Sequence, residues 1–137
     1  MRVIGGTFKG KKLFLPNDKN TRPLKDLVKE SIFNLIQHSK KINIEIKNSM
    51  ILDLFSGSGS FGIECLSRGA KKVIFLENYS EAIKVLEKNI KSLKNIKNFE
   101  IIENDCFDYF NSDQRINQKF DIIFIDPPYK EININEI

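Results

Sequence analysis

Met50-Ile51-Leu52-Asp53-Leu54-Phe55-Ser56-Gly57-Ser58-Gly59-Ser60-Phe61-Gly62 is an apolar run that empties into a glycine-rich loop. Such a run reads as a buried parallel strand with a ligand site at its carboxyl end. Gly57, Gly59 and Gly62 spell G-x-G-x-x-G between strand and helix, so the backbone can turn tightly, approach a ligand closely and offer helix N-terminal N–H groups to an anion. A second run, Phe120-Asp121-Ile122-Ile123-Phe124-Ile125, ends the same way, in Asp126-Pro127-Pro128-Tyr129.

Strand and helix signals alternate from Met50 onward, which predicts an α/β fold: a parallel sheet with helices on both faces. Expected strands are 50–55, 72–77, 99–102 and 120–125; expected helices are 61–68, 80–93 and 107–110. Residues 2–15 alternate loosely between glycine breaks and suggest a short basic β-hairpin. Thr21 and Pro23 then announce a helix, with Leu24, Leu27, Val28, Ile32, Leu35 and Ile36 at helical spacing on one inward face. The chain thus divides into a basic N-terminal extension, 1–40, and a core, 49–137, within a single domain, 1–137.

The 137 residues suffice for one buried core, and the 41% hydrophobic and 29% charged fractions are those of an ordinary globular protein. With no signal-like or membrane-spanning apolar run, a cytoplasmic location without membrane association is expected. Cys65, Cys106 and His38 make no metal-ligand spacing, so no metal is expected. The net charge of +4 fits an anionic partner. Arg2, Lys9, Lys11, Lys12, Lys19, Arg22 and Lys25 crowd the first 25 residues, and Arg2, Lys9, Lys11, Lys12 and Arg22 are the candidate phosphate contacts.

Asp53 discriminates between ligands for the loop. A pyrophosphate would be repelled by a carboxylate beneath the glycines, whereas S-adenosylmethionine brings an ammonium and a sulfonium there. The loop Phe55, Ser56, Gly57, Ser58 and Gly59 would cradle that cofactor, with Glu77 accepting from the ribose hydroxyls and Asp105 from the adenine amino group. Asn78 and Cys106 adjoin the same line of strand ends, which converge on one crevice.

At the second loop, the Asp126 carboxylate and the Pro127 carbonyl can hold both hydrogens of a ring-attached amine, aiming its lone pair at a methyl group. Proline has no N–H to compete and a locked φ that stiffens the loop. With Pro128 completing the turn, Tyr129 can stack on a base extruded from its helix.

Taken together these segments resemble the bacterial family that methylates N2 of a guanine in small-subunit (16S) ribosomal RNA. The resemblance rests on Arg2-Val3-Ile4-Gly5-Gly6, Lys9-Gly10-Lys11-Lys12-Leu13, Thr21-Arg22-Pro23 and Val28-Lys29-Glu30-Ser31-Ile32-Phe33-Asn34. It continues through Leu52 to Gly59, Gly62-Ile63-Glu64-Cys65-Leu66-Ser67-Arg68-Gly69-Ala70, and Asp126-Pro127-Pro128-Tyr129. It implies a Rossmann-like class I methyltransferase core, S-adenosylmethionine as methyl donor with S-adenosylhomocysteine as product, and ribosomal RNA or the assembling 30S particle as partner of a monomer. Leu24 stands where the family usually has threonine. The family's superfamily has a seven-stranded sheet, so this chain reads as truncated after its fourth strand. The rivals are a DNA adenine-N6 methyltransferase, a protein glutamine methyltransferase, which usually carries Asn in place of Asp126, and a non-catalytic module that binds the cofactor or RNA.

Overall fold

A computed structural model describes residues 1–19, 21–113, 117–129 and 135. In chain order the elements are α1 (Asp26–His38), β1 (Met50–Leu54), α2 (Ser60–Ser67), β2 (Lys72–Glu77), α3 (Ser80–Lys91), β3 (Phe99–Glu103), α4 (Cys106–Asn111) and β4 (Ile122–Ile125). The sheet is parallel throughout and ordered β3-β2-β1-β4. The chain steps outward from β1 through β2 to β3, then returns to the far side of β1. That reversal opens a crevice at the carboxyl ends of β1 and β4, where open α/β sheets bind ligands.

Alternation along the strands sends two sets of side chains to opposite faces. Ile51, Val73 and Phe75 join Phe33 of α1, Phe61 and Ile63 of α2, and Leu86 and Ile90 of α3 in the larger core. Leu52, Leu54, Ile74 and Leu76 meet Cys106 and Tyr109 of α4 on the other face. Helices therefore lie on both faces, as expected, but unequally. Ile123 and Ile125, in register with Leu52 and Leu54, stay 52% and 44% exposed. No helix among the described residues is long and apolar enough to cross a membrane.

Residues 1–13 close on themselves as the expected hairpin in minimal form: one antiparallel bridge, Arg2 to Lys12, flanked by Val3 N–H donating to Lys11 O at 2.9 Å and Leu13 N–H donating to Met1 O at 3.1 Å. Other backbone donors of the segment reach α2: Ile4 and Gly5 N–H donate to the Glu64 carboxylate at 2.9 and 2.8 Å, and Thr7 N–H donates to Ser67 O at 2.8 Å. The segment is thus tied both to itself and to α2.

Helix α1 begins at Asp26, so Leu24 lies before it, though still packed on the larger core, and the inward face keeps only part of the expected set. Lys29 and Phe33 are buried, with Ile32 and Ile36 packed beside them, while Leu27, Val28 and Leu35 are exposed. The cause is ionic. Lys29 Nζ reaches Glu64 Oε2 at 3.4 Å, Arg2 O at 2.6 Å and Ser60 Oγ at 3.1 Å, and Glu64 Oε1 also accepts from Arg68 Nε at 2.9 Å. Burial pushes the Lys29 ammonium below its ordinary pKa, against the opposing pull of Glu64.

Candidate functional site

The loop after β1 is shaped by backbone conformations that most side chains avoid. Gly57 and Gly59 lie at φ 56° and 85°, and Phe55, a bulky residue, is also left-handed at φ 56°. The third glycine serves packing instead. A Cβ on Gly62 would lie 2.2 Å from the ring of fully buried Phe75, so α2 can pack on β2 only without it. At Gly57 the space a Cβ would enter is open apart from Thr21 Cγ2 at 3.9 Å.

A cavity of about 280 Å³ opens beside this loop, lined among others by Gly57, Glu77, Asn78, Asp105, Asp126 and Pro127. The expected strand-end residues therefore do meet. Glu77 accepts from Gly57 N–H at 2.7 Å through Oε2, and from Asn78 and Tyr79 N–H at 2.9 and 3.0 Å through Oε1. Its carboxylate thus fixes the loop, with further lone pairs available to ligand hydroxyls.

Asp105 is the N-cap of α4, its Oδ1 accepting from Phe107 and Asp108 N–H at 2.9 and 3.1 Å. Its Oδ2 is 3.4 Å from Asn78 Nδ2. The Cys106 side chain turns away, into the second core cluster. Ser56 is buried and donates to Asp53 O at 2.6 Å, and the carbonyl of buried Ser58 accepts from Asn89 Nδ2 at 2.9 Å.

Asp53 is 1% exposed, and its Oδ2 accepts from Gly62 N–H at 3.1 Å. Desolvation dominates, helped by the negative charges of Glu77 and Asp126, and raises its pKa to about 8 despite the Gly62 bond. With Phe55, Ser58 and Asp126 it borders a second, smaller hollow of about 50 Å³. The acids around both hollows suit a cationic ligand, and the open approach to Gly57 allows a close one.

Asp126 and Pro127 stand at the end of β4, facing the same cavity. Tyr129 is 84% exposed. Arg22 departs from the other basic candidates: its Nη2 donates to Asp126 Oδ1, and its guanidinium lies 4.3 Å above the Tyr129 ring. Lys9, Lys11 and Lys12 are exposed, and Arg2 pairs with Asp26 at 3.8 Å.

Three contributors are not evident from the sequence. Asn89 is buried and ties Phe14 to the loop, exchanging bonds with Phe14 at 2.7 and 3.1 Å. The Tyr79 hydroxyl donates to Asp18 at 2.9 Å, holding the N-terminal segment against the cavity wall. The Lys29–Glu64 pair is the third. Its one sequence signal is a lysine four residues before Phe33, on the face that Phe33 buries.

The family model described as Conserved hypothetical protein 95 matches residues 1–137. YlbH of Bacillus subtilis is 40% identical over 131 residues, which cover 96% of this chain and 68% of the relative. The Haemophilus influenzae protein named Ribosomal RNA small subunit methyltransferase D is 39% identical over 130 residues, covering 94% of this chain and 64% of the relative. The solved structure of yhhF from Escherichia coli aligns with a TM-score of 0.73 at 31% identity, covering 95% of this chain and 65% of that one. This chain therefore spans about two thirds of the length of the relatives it matches.

Proposed function

We propose that this chain, which belongs to the Conserved hypothetical protein 95 family, is the catalytic portion of an S-adenosylmethionine-dependent methyltransferase acting on N2 of a guanine in small-subunit ribosomal RNA. The observation that carries this reading is the meeting of Asp126 and Pro127 with the acid-lined glycine cradle at one cavity. Two functions that methyl transfer requires, cofactor binding and amine activation, then share one mouth. The relatives' names supply the substrate class.

S-adenosylmethionine, when bound, supplies an electrophilic methyl group on a sulfonium and leaves as S-adenosylhomocysteine. Glu77 and Asp105 provide acceptors suited to its cationic and hydroxyl-bearing parts, and the loop amides suit its carboxylate. Asp53, mostly protonated near neutral pH without a ligand, would give up its proton as a cationic group settles beside it. Asp126 and the Pro127 carbonyl accept the two amine hydrogens and orient the nitrogen lone pair. Catalysis is then mainly positioning and electrostatics, with a proton lost from nitrogen during or after transfer. Tyr129 stacks on the base. Residues 1–40, with exposed Lys9, Lys11 and Lys12, serve as the RNA-binding extension of a monomer working in the cytoplasm.

The test is incubation with labelled S-adenosylmethionine and separate pools of ribosomal RNA, small subunits, DNA and protein, followed by nucleoside mass spectrometry. N2-methylguanosine in small-subunit RNA is expected. N6-methyladenine as the main product would overturn the substrate assignment, and label in no pool would favour a binding module without turnover. Asp126→Ala should abolish transfer while calorimetric affinity for the cofactor stays within a few fold.

A further inference from the structure

Arg22 makes the two contacts that the function above assigns to the target base. Its Nη2 donates to the Asp126 carboxylate, and its guanidinium carbon lies 4.3 Å from the centre of the Tyr129 ring. A guanidinium is planar, carries its N–H donors in that plane and stacks on aromatic faces. The N1–C2–N2 edge of guanine has the same make-up, a carbon bonded to three nitrogens with N–H donors on two of them. Adenine has no such edge, because its amino carbon bears two nitrogens and the neighbouring ring nitrogen is an acceptor.

The surroundings fit a removable side chain on a fixed stem. Thr21 N–H donates to Asp18 Oδ1 at 3.0 Å, and Tyr79 holds the other oxygen of Asp18 at 2.9 Å, so the backbone just before Arg22 is anchored at the cavity wall. The Arg22 side chain itself is 40% exposed and borders both hollows. A nucleic acid arriving here offers the guanidinium phosphate oxygens, with which arginine forms strong paired hydrogen bonds.

We propose that Arg22 is a built-in stand-in for the target guanine, occupying Asp126 and Tyr129 until the substrate backbone draws the guanidinium away. The idea rests on the amino-methyltransferase reading and deepens it. Free nucleosides must then compete with Arg22 for Asp126 and Tyr129, and the atoms the site already accommodates favour a guanine edge over an adenine edge.

The test measures binding of guanosine and adenosine, neutral probes without phosphate, by ligand-observed nuclear magnetic resonance. The proteins are the unmodified chain, Arg22→Ala, Arg22→Lys and Arg22→Ala/Asp126→Ala, all with S-adenosylhomocysteine present. Removing a half-exposed ion pair and one cation–π contact should tighten guanosine binding about 3- to 30-fold in Arg22→Ala. Arg22→Lys, which keeps the charge but loses the planar fork, should gain less, and the double variant should lose the gain. Guanosine binding that is unchanged, weaker or undetectable in Arg22→Ala overturns the proposal, as does an equal gain for adenosine. Binding of S-adenosylhomocysteine by each variant certifies an intact fold. Because the nucleoside measurement needs no turnover, its failure is separable from a failure of the unmodified chain to methylate ribosomal RNA.

Discussion

Asp53 is a buried carboxyl whose environment weakens the fold as pH rises. The hydrogen bond it accepts from Gly62 at 3.1 Å does not offset its desolvation, so its pKa lies at about 8 in the folded chain against about 3.9 when unfolded. The folded state therefore holds a proton that the unfolded state has lost. Its stabilising contribution is fully present below about pH 4 and is lost as pH rises through about 8. Urea midpoints of the ligand-free protein measured from pH 5 to 8.5 should fall with rising pH, and Asp53→Asn should flatten that fall. An identical slope in the variant would show that the carboxyl titrates normally. The proposed function gives this cost a use, since it assigns Asp53 to the cationic end of the cofactor.

At the scale of elements, the N-terminal segment and α1 are held to α2 by charge as much as by apolar contact. Lys29 and Glu64 are both 0% exposed, and Glu64 gathers Lys29, Arg68 and two backbone N–H groups on one carboxylate. Glu64→Gln would leave the Lys29 ammonium buried without its counter-charge, a change that typically costs about 3 to 5 kcal/mol. The expected result is a lower urea midpoint, with limited proteolysis cutting first within residues 1–25. A midpoint within error of the unmodified protein would mean that the apolar contacts of Phe33 suffice. This network also explains why the outward face of α1 carries Leu27, Val28 and Leu35. Hydrophobic periodicity picks out Ile32 and Ile36, which do pack inward, together with Leu27, Val28 and Leu35, which do not, because it gives no weight to a lysine whose partner lies on a different element.

At the scale of the whole molecule, a net charge of +4 is concentrated where the N-terminal segment leaves Lys9, Lys11 and Lys12 exposed. Changing all three to Ala should weaken RNA binding and reduce the slope of log affinity against log salt by about 0.7 to 0.9 for each phosphate that no longer meets a lysine. Cofactor affinity should not change, and an unaltered salt slope would make these lysines a solvated face only. The strand–helix alternation from Met50, the glycine loop and the Asp126-Pro127-Pro128-Tyr129 exit were legible in the sequence because each is set by residues close together in the chain. Local periodicity and turn chemistry determine such features, and the four strands formed where these signals lay. The short N-terminal hairpin was legible too and forms around its Arg2–Lys12 bridge, but the donation of the Ile4 and Gly5 N–H groups to Glu64, about sixty residues away, was not. Equally, only the tertiary structure could place Arg22 on Asp126 across 104 residues of chain, make Asp105 a helix cap and turn Cys106 from the cavity. Pairings of buried or half-buried polar groups are chosen by which partners the folded chain brings within reach, and periodicity holds no record of them.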